Sequence, residues 1–111
     1  MSKLVRDKIP AIIQSKGSVP LIRVAGPAEY REALFTKLAE ETTELRTADT
    51  EHAPEELADM LEVVYALAAD HGVTRERLEA VRQAKHAERG GFDDRLIWEG
   101  NRELPDREPG Q

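Results

Sequence analysis

The chain is predicted to fold as an all-α bundle of three to four helices, completed by association with further copies. Apolar residues recur at spacings of three and four along its long segments, the signature of a helix with one buried face. Pro, Thr and Gly punctuate those segments where helices begin and end. The length, 111 residues, suits a single small core of this kind.

Taken in order, Asp7 to Lys16 spaces Ile9, Ile12 and Ile13 at three and four, so it reads as a short helix stopping at Gly17. The β-branched stretch "VPLIRV", residues 19–24, is a strand candidate. A long helix is expected from Pro27 to about Thr47, with the stripe Tyr30, Leu34, Leu38 and Leu45. A second starts at Pro54 and stops before Gly72; a third follows Thr74, a plausible N-cap, and ends at Gly90. "DRLIWEG", from Asp94, is a second strand candidate, and residues 94–99 are expected to pair with 19–24. Residues 1–99 thus form one domain, and the polar stretch 100–111 is expected to be a disordered tail.

Sixteen Lys and Arg against 22 Asp and Glu give a net charge of −6, which argues against nucleic acid or an anionic membrane as a partner. With no cysteine, disulfides and thiolate metal sites are excluded. No apolar run has membrane-spanning length, and "MSKLVRDKIP" lacks the apolar centre of a signal peptide, so a cytoplasmic location is expected.

The anomaly is acidic. Each helical residue turns by ~100°, which sets Glu41 near the centre of the Tyr30–Leu45 stripe, with Glu44 on its flank and Glu40 farther out. An ionised carboxylate in an inward seam costs several kcal/mol unless a proton, a basic partner or a metal ion compensates it. The next helix, "EELADMLEVVYALAAD", repeats the pattern. It is apolar over most of its circumference, which calls for burial from more than one direction, yet it carries Glu56, Asp59 and Glu62 at spacings of three. Two antiparallel helices joined by a loop of about ten residues would set Glu41 and Glu44 against Glu56 and Asp59. With no Cys and no nearby His, that set is oxygen-only and selects Mg2+ or Mn2+ over Zn2+. Against this stands the plainer reading of solvated charges, with Glu40, Glu55 and Glu44 paired to Lys37 or placed at a helix N-terminus.

Glu40-Glu41-Thr42-Thr43-Glu44, followed by Glu56-Leu57-Ala58-Asp59, resembles the EExxE…ExxD signature of the MazG-like all-α nucleoside triphosphate pyrophosphohydrolases. "KLVRDKIP" (from Lys3), "ELADMLEVVYAL" (from Glu56) and "KHAERGGF" (from Lys85) are similar to a short single-domain branch of that superfamily, one close to phosphoribosyl-ATP pyrophosphohydrolase. The resemblance spans Lys3 to Trp98, with a short gap between Glu44 and Glu56. It implies Mg2+ held by Glu41, Glu44, Glu56 and Asp59. It also implies cleavage between the α- and β-phosphates of a nucleotide, and a homo-oligomer, at least a dimer, with active sites near subunit contacts.

Within that scheme Glu40 or Glu62 is the candidate base that orients the attacking water. Lys85 and Arg89, on the basic face of the third long helix beside Arg82, are candidate phosphate contacts, and Gly90-Gly91 lets the backbone approach a ligand. The alternative is that these cations complement the helix dipole. Arg6 and Lys8 could reach the site from the N-terminal arm or pair with surface carboxylates. Trp98, Phe92 and Tyr30 are expected to pack in the core rather than stack on a base, and none of the three His has metal-ligand spacing. The leading expectation is Mg2+-dependent hydrolysis of nucleoside triphosphates, including removal of non-canonical nucleotides. The rivals are the phosphoribosyl-ATP reaction of histidine synthesis and a catalytically idle helical oligomerisation module.

Overall fold

The computed structural model describes residues 2–105. Its elements are α1 (Ile9–Ser15), α2 (Pro27–Thr47), α3 (Ala53–Asp70) and α4 (Arg75–Arg89). The architecture is all-α, as expected.

Local chemistry accounts for each boundary. In α1 and α3 the exit is a Schellman turn with glycine in the left-handed region: at Gly72 (φ 74), Val73 N donates to Ala68 O at 2.8 Å and Gly72 N to Ala69 O at 2.9 Å. Gly17 (φ 92) ends α1 by the same pattern, with Ser18 N on Ile13 O. Pro27 opens α2 behind the extended Gly26, where a missing N–H costs nothing. Thr74 caps α4 as expected, its Oγ1 accepting from Arg77 N at 3.1 Å.

The helices α2 and α3 form an antiparallel hairpin. At one end Arg31 Nε donates to Asp70 Oδ2 at 2.6 Å; at the other, Glu41 of α2 meets Glu56 and Asp59 of α3. The helices end and begin where expected, to within a residue, so the connection is residues 48–52, shorter than the ten or so also expected. Asp49 Oδ1 tightens that loop by accepting from His52 N at 2.9 Å. α4 packs against α3.

The strand pairing does not form. Residues 19–24 and 94–99 lie outside any ladder, and among the described residues there is no strand. Leu21, Val24, Leu96 and Ile97 are all largely exposed, and a lone two-stranded ribbon without a packed face is marginal in water. Trp98 is a further correction: expected to pack, it is 80% exposed, with Nε1 donating to Asn101 Oδ1 at 2.8 Å. Phe92 is likewise exposed rather than packed, and Tyr30 is half-buried. Of the tail, residues 100–105 are irregular, and 106–111 lie outside the described residues.

The core is thin. Among the apolar residues Leu34 and Val63 are buried, whereas Leu57, Leu61 and Phe35 stay about half exposed. The accessible surface is 10417 Å², against about 6,100 Å² for a compact monomer of this mass. The radius of gyration is 21.3 Å, against roughly 13 Å for a compact chain of this length. Among the described residues no helix is long and apolar enough to cross a membrane.

With so few buried side chains, the hairpin depends on each of them. Leu34→Ala is expected to cost about 2–4 kcal/mol in urea unfolding; a loss below about 1 kcal/mol would contradict the placement of Leu34 at the centre of the core.

Candidate functional site

Glu41 follows Leu34 by two helical turns, so the periodicity that buries Leu34 carries Glu41 into the same seam. Its residue exposure is 7%, which makes it the buried charged residue of the described chain. Across the hairpin, Glu56 and Asp59 stand one turn apart near the start of α3, both half-buried. One carboxylate oxygen from each of Glu41, Glu56 and Asp59 lies within 4.8 Å of the others. Glu44, one turn beyond Glu41 and itself exposed, borders the group and acts electrostatically on both Glu41 and Glu56.

Burial is the first cause of a raised Glu41 pKa, with the charges of Glu44 and Asp59 adding to it and Lys37 opposing. Burial also leads at Glu56, whose carboxyl is pushed up further by Glu44 and Asp59. Glu41 Oε2 and Glu56 Oε2 are both buried without a hydrogen-bond partner. Buried carboxylate oxygens rarely go unserved, so these two call for a proton or a cation.

Nearby cations serve only the rim. Arg6 Nη2 donates to Asp59 Oδ1 at 2.6 Å, which brings the N-terminal arm to the site. Lys37 Nζ stands 4.0 Å from Glu41 Oε1 and 3.9 Å from Glu40 Oε2, at the outer limit of an ion pair. Neither reaches the two unpartnered oxygens.

The donor set suits a hard divalent cation. It is oxygen-only, and two oxygens on opposite sides of one Mg2+ stand about 4.2 Å apart, close to the spread seen here. Glu41, Glu56 and Asp59 could hold such an ion; Glu44, expected as a fourth ligand, is exposed and lies outside that group.

Other candidates stand apart. Glu40 is exposed on α2, beside Lys37, and lines a cavity of about 250 Å³ with Lys3, Glu32 and Thr36. Glu62 is exposed on α3, one turn past Asp59. Lys8, Lys85 and Arg89 are exposed and make no ion pair among the described residues. Arg82, expected on the basic face of α4, is engaged by Glu79 at 2.8 Å and holds that carboxyl down at about 2. The Lys37–Glu41 contact was legible as an i, i+4 pair and was missed; the Arg31–Asp70 clamp, bridging residues 39 apart, has no local signal.

Fold and site together define a helical-hairpin protein with an acidic cluster in its seam. Over 53 residues, 48% of this chain, the sequence is 51% identical to an uncharacterized protein of Mycolicibacterium smegmatis. The matched stretch covers 54% of that relative, so the chain spans about half the relative's length. No family model matches the chain. No solved structure matches it either.

The raised carboxyls set a pH dependence. In chelator, a carboxyl raised above its ordinary 4.5 keeps a proton in the fold that the unfolded chain has released. That stability is fully present below 4.5 and is lost as pH climbs through the raised values. Urea midpoints measured with EDTA should therefore fall as pH rises above 4.5, and Glu41→Gln should flatten that fall. A wild-type profile that rises over this range would contradict the burial of Glu41.

Proposed function

We propose that this chain is a divalent-cation-dependent nucleoside triphosphate pyrophosphohydrolase of the MazG-like all-α superfamily. The observation that carries the reading is Glu41: a buried carboxylate whose unpartnered Oε2 sits in a seam with the carboxylates of Glu56 and Asp59. A core glutamate kept only for packing would have cost less as an apolar residue.

Glu41, Glu56 and Asp59 are the residues that would hold Mg2+, with Glu44 at their border and Mn2+ the alternative ion. Bound there, the ion would neutralise the triphosphate and lower the pKa of an attacking water. The chain's own groups supply the rest. Glu40 adjoins Glu41 in sequence but faces off the seam beside Lys37, and its carboxylate is the first candidate to accept the water's proton as the new P–O bond forms. The bond between the α- and β-phosphates breaks, leaving a monophosphate and pyrophosphate. Glu62 is the second candidate for that base. Arg6, already at the rim on Asp59, is positioned to neutralise phosphate charge, and Lys8, Lys85 and Arg89 are exposed cations available for the same task.

The surface supports a homo-oligomer as the working unit. Leu57, Leu61 and Phe35 leave apolar side chains uncovered on the hairpin that carries the site. Sedimentation should give a mass at least twice the 12.4 kDa of one chain. A monomer at micromolar concentration would contradict the oligomer.

Pyrophosphate release from a panel of nucleoside triphosphates and phosphoribosyl-ATP, each with Mg2+ or with EDTA, tests the reaction. Turnover is expected only with the ion, is lost in Glu41→Gln, and falls by about 10²–10⁴ in kcat in Glu40→Gln. Turnover on phosphoribosyl-ATP alone would place the chain in that narrower activity. No turnover on any nucleotide would leave an idle helical module.

A further inference from the structure

We propose that Arg6 is a placeholder cation: its guanidinium occupies Asp59 until a divalent ion claims that carboxylate, and is then released to meet phosphate. The proposal rests on reading the carboxylate cluster as a cation site, and it adds a coupling between ion and nucleotide that runs through one side chain.

The pair is built to be exchanged. A single contact, Nη2 to Oδ1 at 2.6 Å, joins residues 53 apart, so most of the guanidinium's five N–H donors are left over for other acceptors. The two side chains are 56% and 42% exposed, and a solvated pair of this kind is weak. Weakness is what an exchangeable occupant requires. Arg6 also serves the rim rather than the centre. The unpartnered oxygens belong to Glu41 and Glu56, out of its reach, so the guanidinium balances the charge of Asp59 without filling the site.

Nor is Arg6 needed to tether the arm. Its carbonyl accepts from Ile9 N at 3.0 Å, fixing the backbone in the turn that leads into α1. Leu4, half-buried, lines both the cavity shared with Ala33 and Lys37 and a second one beside Pro27 and Tyr30. The arm thus runs beside α2, sharing cavity walls with it at points away from Asp59. Releasing the guanidinium frees a side chain and leaves the segment in place. A freed Arg6 would remain beside the carboxylates, where a fork of N–H donors matches a phosphate oxygen pair.

A competitor that must be displaced lowers the affinity of the ion. Mn2+ binding to the full chain, followed by the electron paramagnetic resonance of the free ion without nucleotide, tests this in wild type, Arg6→Gln, Asp59→Asn and the double variant. Arg6→Gln is expected to bind Mn2+ about 1.5- to 5-fold more tightly than wild type. In the Asp59→Asn background the same substitution should change nothing. On the wild-type protein itself, the Arg6 Nε resonance in 15N NMR should shift as Mg2+ is added, and should stay still in Asp59→Asn.

Equal or weaker Mn2+ binding by a folded Arg6→Gln, or an Arg6 resonance that ignores bound Mg2+, would overturn the placeholder while leaving the cation site intact. Tighter binding by Arg6→Gln in a protein that hydrolyses no nucleotide would sustain the placeholder and defeat the proposed reaction. If neither wild type nor Arg6→Gln binds the ion, the cation site and the placeholder fall together.

Discussion

One carboxylate organises this molecule. Glu41 occupies a position that the helical repeat of α2 reserves for an apolar side chain, in a seam whose other buried members are Leu34 and Val63. Burying it raises its pKa, and the neighbouring acids raise it further. In a chain with a thin core this is a substantial concession of stability. The α2–α3 hairpin and the N-terminal arm are arranged around that concession.

The hairpin holds the concession in place. Leu34 and Val63, buried in the seam, hold α2 against α3 with Arg31 on Asp70 at the far end, and in that register Glu56 and Asp59 stand opposite Glu41. A slip by one helical turn would move the acids about 5.4 Å along the axis and disperse them. The loop 48–52 keeps the two helices from sliding, with Asp49 bonded to His52. Structure and chemistry therefore share the same constraint: what sets the helix pairing also sets the distances between carboxylate oxygens.

Much of this was legible in the sequence because it is local and periodic. The 3.6-residue repeat gave Glu41 its inward direction, the spacing of three placed Glu56 and Asp59 on consecutive turns, and Thr74, Gly17 and Gly72 marked their helix ends through caps and left-handed turns. What was illegible is tertiary. Arg6 meeting Asp59 joins residues 53 apart, and a list of basic residues does not say which of them reaches an acid. The expected pairing of 19–24 with 94–99 followed β-branched composition, but composition does not supply the packed face that a two-stranded ribbon needs. Aromatics this few usually pack, which is the ground for expecting Trp98 and Phe92 in the core, but within this chain the core does not extend to them.

The most direct test is the thermal stability of the purified chain as Mg2+ or Mn2+ is added, for wild type beside Glu41→Gln. If a divalent ion is what reconciles these acids with their burial, it binds the folded chain and not the unfolded one, so the wild-type melting temperature climbs with ion concentration. At a hundred times the dissociation constant the gain is about 2.7 kcal/mol. Glu41→Gln, lacking the buried charge, should melt at a temperature indifferent to the ion. A wild-type melt unmoved by either ion, or an equal rise in the variant, would contradict the account.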